Sequence, residues 1–359
     1  MSASVAPAAP VRWAVPKPGR LARSVTVGRR PVPLDEATTR AVLQPHALAP
    51  TGQAATLPLG RRNDTVLVDT ARGRVVVRRY PARLASEEVR HEHAIADEAR
   101  RRGVPVPAVL RTRSGDSWVE VDGARYGVSA FVDGRSYSGC LLSPGVAADL
   151  HRTAGRLLAR FHLELAGFRP AGRHHLGDEL ERVTPGGLRA CLQTLDWLVR
   201  TGVGRRDEDA ERWLAARGGR LAADLVHLDQ RLRQLPLDRG VIHGDYGLHN
   251  VTFASDGHVT MHDLELARRD LLLVDLAAVL SRSSVRSGRA FLAGYQELRP
   301  LDDEAWAALP DLWRHYRLCG AVRSWHNHRR WGGRQRLETA RRRLLEADRV
   351  ARRGVDPWR

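Results

Sequence analysis

The chain has 359 residues, 43% hydrophobic and 28% charged, which suits one large two-lobed domain or two ordinary ones. It has no apolar run near the ~18 residues of a membrane span, no signal-peptide core, and three scattered cysteines (Cys140, Cys191, Cys319) that fit no disulfide or metal pattern; a cytoplasmic protein with reduced thiols is expected. A net charge of +17, almost all arginine with Lys17 the only lysine, disfavours strongly cationic ligands unless a cleft is locally acidic, and suits an acidic partner.

Residues 1–50 read as a basic, Pro- and Ala-rich extension ending in a short helix at Leu34 to Leu43. Alternating apolar positions around Gly60 predict a strand from Thr56, and Gly73 turns the chain into a second strand, RVVVRRY. Glu87 to Arg102 reads as a helix, ended by Gly103 with Pro105 and Pro107 beyond it. Strands follow at Ser117 to Val121 and Tyr126 to Val132. After Asp133-Gly134 the pattern turns helical. Ser143-Pro144 caps a helix carrying Leu150, Leu157, Leu158 and Phe161 at helical spacing. Further helices are predicted at Glu179 to Arg200, Asp207 to Gln234, Asp303 to Trp325 and Gly333 to Arg352. The expected division is an extension over 1–50, a β-rich N-lobe over 51–133 and a helical C-lobe over 134–359.

The most informative stretch is VIHGDYGLHN, which sets His243, Gly244, Asp245 and Asn250 at the spacing H-G-D-x-x-x-x-N, with Asp263 following in VTMHDLELA. Phosphoryl transfer needs such groups. One carboxylate orients a hydroxyl and takes its proton late, while an amide oxygen and a second carboxylate hold Mg2+ against the phosphates of ATP. The strands Val251 to Phe253 and Val259 to His262 form a hairpin around Asp256-Gly257, which sets Asn250 beside Asp263.

These residues resemble the aminoglycoside phosphotransferase/choline kinase branch of the protein kinase-like fold, over about residues 56 to 330. GRLLARFH (Gly155 to His162) is similar to the family's helix beneath the catalytic loop, and LVDLA matches its D-L-A at Asp275. The resemblance implies an α+β, two-lobed kinase-like fold and an ATP- and Mg2+-dependent kinase. It implies Asp245 as the catalytic residue, Asn250 and Asp263 as metal ligands, and His243 and Asp275 as structural supports of the loop. It also implies a small-lobe cation paired with a helix glutamate. Arg78 stands where the family has lysine, sharing a strand face with Val76, and Glu92 is its expected partner. Ala130 to Val132 is the expected hinge, with Ala130 and Val132 offering backbone groups to adenine, and Gly60 to Asn63 sits where the family has its phosphate-covering hairpin. His262 and Leu264 flank Asp263 where the family has other residues; His262 is expected to pack or hydrogen-bond in its strand. Glu265 is left between a second metal and a neighbouring arginine.

Three functions are in play. The first is phosphorylation of a small-molecule hydroxyl on an antibiotic, sugar or biosynthetic intermediate. The second is phosphorylation of Ser or Thr in a ribosomal precursor peptide, for which an acidic leader would suit the basic surface. The third is a pseudokinase or basic binding module, with Arg78 as the mark of lost activity. No base-stacking or recognition-helix pattern points to nucleic acid. Substrate contacts are expected from Glu179 to Gln234 and the C-terminal helices near Trp325.

Overall fold

The computed structural model describes residues 34–52, 54–56, 64–137, 140–174, 187–201 and 208–353, with Trp358. Its small lobe is one antiparallel sheet in the order β1-β2-β3-β5-β4, built from β1 (Ala55–Thr56), β2 (Asp64–Thr70), β3 (Gly73–Arg79), β4 (Val119–Val121) and β5 (Ala124–Ala130). Side chains alternate across a strand. Val66, Val68, Val75, Val77, Tyr126 and Val128 therefore share one face, and bury it against Val42 and Leu43 of α1 (Glu36–Leu43). Val76 and Arg78 point the other way, toward α2 (Ser86–Arg101). Residues 34–50 thus pack onto the sheet, a contact that their composition did not suggest. The loop Gly60 to Asn63 lies outside the described residues.

The link to the large lobe is held by close backbone contact. Arg135 and Phe253 exchange two hydrogen bonds of 2.9 Å. At Gly134 (φ +143°) an added Cβ would lie 2.7 Å from the Phe253 carbonyl oxygen, so only glycine fits.

The large lobe is mainly helical. Ser143 caps α3 (Pro144–Glu164) by accepting from the Val146 amide. This helix lies against α8 (Val285–Gln296) through two glycines: a Cβ on Gly155 would meet the Phe291 carbonyl at 2.1 Å, and one on Gly294 the Arg152 carbonyl at 1.9 Å. Between them and the loop runs α7 (Leu273–Leu280), every residue of which is buried. Two antiparallel pairs carry the H-G-D-x-x-x-x-N segment, β6 (Arg239–Ile242) with β9 (Arg268–Leu271) and β7 (Val251–Phe253) with β8 (Val259–Met261).

A second core joins α4 (Gly187–Thr201), α5 (Glu208–Ala215) and α6 (Gly218–Gln234) to α9 (Asp303–Trp331) and α10 (Arg334–Arg353). The single helix expected over Asp207 to Gln234 is broken into α5 and α6. Gly218 opens α6 hard against α4, where a Cβ would meet Val199 Cγ2 at 2.4 Å. Helix α9 runs past Trp325 to Trp331 with Pro310 inside it, and ends at Gly332 (φ +69°).

His315, 1% exposed on α9, has its pKa pushed down to about 4 by burial. The unfolded chain therefore takes up this proton near pH 6.5, whereas the fold resists it until about pH 4. This group's contribution is present above pH 6.5 and is lost as pH falls through that window, by about 3 kcal/mol. Urea unfolding between pH 7.5 and 4 should show the decline, and His315→Asn should flatten it; an unchanged slope would clear His315 of the effect.

Candidate active site

The loop after β6 is held by one buried carboxylate. Asp275, in the first turn of α7, accepts from the His243 amide (2.7 Å) on Oδ2 and from the Gly244 amide (2.8 Å) on Oδ1. His162 of α3 places Nε2 3.2 Å from Oδ2, and its Nδ1 lies 2.9 Å from the Tyr295 hydroxyl. Burial alone would raise the Asp275 pKa, but the His162 hydrogen bond and its neighbours outweigh it, and the carboxyl stays below its usual range. His243 is equally committed. Its Nε2 lies 3.0 Å from the His262 carbonyl oxygen, which can only accept, so Nε2 carries the proton and Nδ1 receives the Asp245 amide at 3.3 Å. Burial lowers its pKa and keeps it neutral. Gly244 has φ +81°, and a Cβ there would lie 2.2 Å from the Leu266 carbonyl oxygen. No side chain has room at this position.

Asp245 projects from this loop half-exposed. Its Oδ1 is held by Arg282 Nη1 at 2.9 Å, and Oδ2 lies 3.5 Å from His249 Nε2. Burial pushes its pKa up, yet the His249 and Arg282 contacts overcome this and hold the carboxyl well below the usual carboxylate range. Arg282 is itself anchored, with Nη2 on the Tyr246 carbonyl (2.6 Å) and Nε on the Ala278 carbonyl (3.1 Å). Asn250 donates Nδ2 to the Asp245 carbonyl at 3.0 Å, which leaves Oδ1 as its acceptor. The β7–β8 hairpin then closes on itself: the His262 amide donates to the Asn250 carbonyl at 3.0 Å and leads straight into Asp263. Asp263 adopts a left-handed backbone (φ +64°, ψ +62°), a conformation that costs a non-glycine residue on the order of 1 kcal/mol.

Arg78 joins the two lobes. Its Nη1 meets Glu92 Oε1 at 2.8 Å, and its Nη2 meets Asp263 Oδ1 at 3.0 Å. A lysine offers one nitrogen where this fork offers two. Burial pushes the Glu92 carboxyl up to about 7; Arg78 pulls against that, while Asp263 and Glu265 add repulsion. Burial would lower the Arg78 pKa, but Glu92 and Asp263 outweigh it and keep the guanidinium charged.

The hinge residues fare unequally. The Ala130 amide donates to the Ala108 carbonyl at 2.9 Å, so this N–H is already engaged and does not offer itself to a ring. Val132 is half-buried beyond the end of β5 and has no backbone hydrogen bond among the described residues. Glu265 lies in the short 3-10 turn Leu264–Leu266 that Asp263 caps, its carbonyl 3.1 Å from His174 Nε2. Arg282 was not singled out from the sequence. It follows the fully buried helix α7 in a chain full of arginine, and no spacing rule ties it to Asp245.

Among the described residues no group of three or more His, Cys, Asp or Glu side chains could hold a metal unaided. Asn250 Oδ1 and the Asp263 carboxylate form a two-oxygen donor set. That fits a hard cation which takes its remaining oxygens from phosphates and water.

The model of the phosphotransferase enzyme family (APH) matches residues 53–310. The chain belongs to that family. Among its relatives, the homoserine kinase of Xanthobacter autotrophicus is 28% identical over 71% of this chain and 74% of its own, and that of Phenylobacterium zucineum is 27% identical over 70% and 73%. The fold is that of solved small-molecule kinases. A microcompartment-associated aminopropanol kinase superposes with a TM-score of 0.67 at 19% identity, over 90% of this chain and all of that one. An amicoumacin kinase, solved with AMP-PNP, Ca2+ and its antibiotic, gives 0.65 at 16% identity over 88% and 93%. Both comparisons establish the two-lobed kinase-like architecture, with its small antiparallel sheet and large helical lobe.

Asp275→Asn would turn one acceptor into a donor facing a backbone amide. The loss expected is about 3 kcal/mol of stability, read by urea unfolding at neutral pH. A loss below ~1 kcal/mol would mean that the loop is held elsewhere.

Proposed function

We propose that this protein is an ATP- and Mg2+-dependent O-phosphotransferase acting on a hydroxyl of a small molecule, in the cytoplasm. The observation that carries the reading is the convergence of Asp245, Asn250, Asp263, Arg78 and Glu92 from four segments of the chain, linked directly or through the His262 amide by contacts of 2.8 to 3.0 Å. In this reading the acceptor oxygen attacks the γ-phosphorus while the bond to the β–γ bridging oxygen breaks, and ADP leaves with that oxygen. Asp245 uses Oδ2 to align the hydroxyl and receive its proton as the P–O bond to the leaving group breaks. Its depressed pKa makes an early, complete deprotonation unfavourable, so its main work is orientation. Asn250 Oδ1 and Asp263 would hold Mg2+, which when bound neutralises phosphate charge. Arg78 keeps one branch of its fork on Glu92 and can offer the other to phosphate. The Val132 backbone is the better-placed hinge group for adenine.

The formed Arg78–Glu92 pair favours an active enzyme over a pseudokinase, because the arginine holds the position and partner expected of the lysine. Relatives and neighbours that are small-molecule kinases favour a small acceptor over a precursor peptide.

ADP release should be followed with MgATP and a panel holding L-homoserine, 3-amino-1-propanol and an aminoglycoside. Turnover of at least one small acceptor is expected, and Asp245→Ala should lower kcat by ~10³-fold or more with nucleotide binding retained. Comparable turnover in that variant would remove Asp245 from the mechanism. Arg282 acts through Asp245 as a positioning residue. Arg282→Ala should lower kcat by about tenfold to a hundredfold with the nucleotide KM unchanged, and added guanidinium should restore part of it. No rescue would reduce Arg282 to a structural tie.

A further inference from the structure

Helices α9 and α10 pack against each other and build a cationic face. Tyr316, Gly320, Arg323 and Ser324 fall along one side of α9 at helical spacing. Arg343 of α10 lies across that side, with Nη1 on the Gly320 carbonyl (2.6 Å) and on Ser324 Oγ (2.9 Å). The absent side chain at Gly320 makes this possible, since a Cβ there would sit 2.9 Å from Arg343 Nη1. Arg317 flanks the same region, stacked 5.0 Å from the Trp313 ring centroid and paired with Glu346 at 2.8 Å. Its Nε is buried with no hydrogen-bond partner among the described residues.

Positive charge is in excess here. Among the described residues no carboxylate ion-pairs with Arg343 or Arg342, and Glu346 is the one acidic group set against Arg317. Burial holds Arg317 and Arg343 below the usual guanidinium range; Glu346 pulls both back up, but the neighbouring arginines work against it. Half-buried guanidiniums that repel one another cost free energy, and a bound anion offsets that cost. The face also connects to the catalytic carboxylate. Helix α9 packs along α7, and Arg282, the residue holding Asp245, lies just past the end of α7.

We propose that Arg343 and Arg317, beside Tyr316, bind an anionic group, a carboxylate or phosphate, on the acceptor whose hydroxyl faces Asp245. The proposal rests on the kinase reading for the role of Asp245 but not for the existence of the anion site. Arginine suits such a seat because its planar fork can meet a carboxylate or phosphate with two nitrogens. Acceptors with a terminal anion are selected, and polycations are turned away.

The test is saturable binding, read by thermal shift and equilibrium titration at constant ionic strength, with and without MgADP. The probes are 4-hydroxybutyrate, L-homoserine and inorganic phosphate, with 1,4-butanediol as the uncharged control. The wild-type chain should bind 4-hydroxybutyrate or phosphate saturably and the diol at least tenfold more weakly; which anion binds tells carboxylate from phosphate. Arg343→Met and Arg317→Met should each weaken anion binding at least tenfold, and Arg343→Lys should recover part of it. The MgADP shift should persist in all three, which shows that they are folded. No saturable binding of any anion, or equal binding in both Met variants, overturns the proposal. Loss of MgADP binding in the wild type with anion binding intact would instead strike the kinase reading and leave the anion site standing.

Discussion

The buried carboxylate of Asp275 is the constraint from which the rest of the candidate site follows. A fully buried carboxylate is tolerable only when its oxygens are occupied by donors, and here the donors are the His243 and Gly244 amides and the His162 ring. Satisfying Asp275 therefore sets the backbone of the loop. With that backbone set, Gly244 must run against Leu266, His243 must face His262, and Asp245 must leave the loop on the open side. The two histidines are drawn into the same arrangement as neutral rings of defined tautomer. Neither has a nitrogen left for general-base work.

Arginine does three separate jobs around this frame. Arg78 uses a fork to reach a helix of the small lobe and the hairpin of the large lobe at once, so the lobes are coupled through a single guanidinium. Arg282 uses all three of its donor directions to hold Asp245 while leaning on two backbone carbonyls. Arg343 spends one nitrogen on α9 and keeps its charge without a carboxylate partner among the described residues. A lysine could not replace the first two in kind, because both depend on planar, divergent N–H groups. The arginine-rich composition, which on its face suggests only a basic surface, includes groups that shape the site.

Much of this was legible in the sequence, for identifiable reasons. Period-two alternation in RVVVRRY put Arg78 on the face opposite Val75 and Val77, and the sheet core confirms that sidedness. The H-G-D-x-x-x-x-N spacing and the Asp256-Gly257 turn made the neighbourhood of Asn250 and Asp263 a short-range inference. What escaped was long-range or aperiodic. Helix α7 is buried on all sides and shows no amphipathic stripe, and α8 owes its position to Gly155 and Gly294 meeting opposite carbonyls. The break between α5 and α6 falls at Gly218, where the chain runs close against Val199 of α4, a tertiary contact that shows no periodicity. Arg282 was hidden for the same reason: its partner lies across the fold, and nothing local distinguishes it from the other arginines.

The overall charge and the local charge lead to the same chemistry by different routes. A net charge of +17 acts at long range and is screened within about 8 Å at physiological salt. It can favour the approach of anions but cannot select among them. Selection needs partly desolvated groups of one sign held close together, which is what Arg317 and Arg343 supply beside Tyr316. The catalytic side keeps the opposite balance, with Asp245, Asp263, Glu92 and Glu265 set against Arg78 and Arg282. An acceptor lying between the two regions would meet a carboxylate at its hydroxyl end and guanidiniums at its other end. That polarity favours a molecule with a hydroxyl at one end and an anionic group at the other.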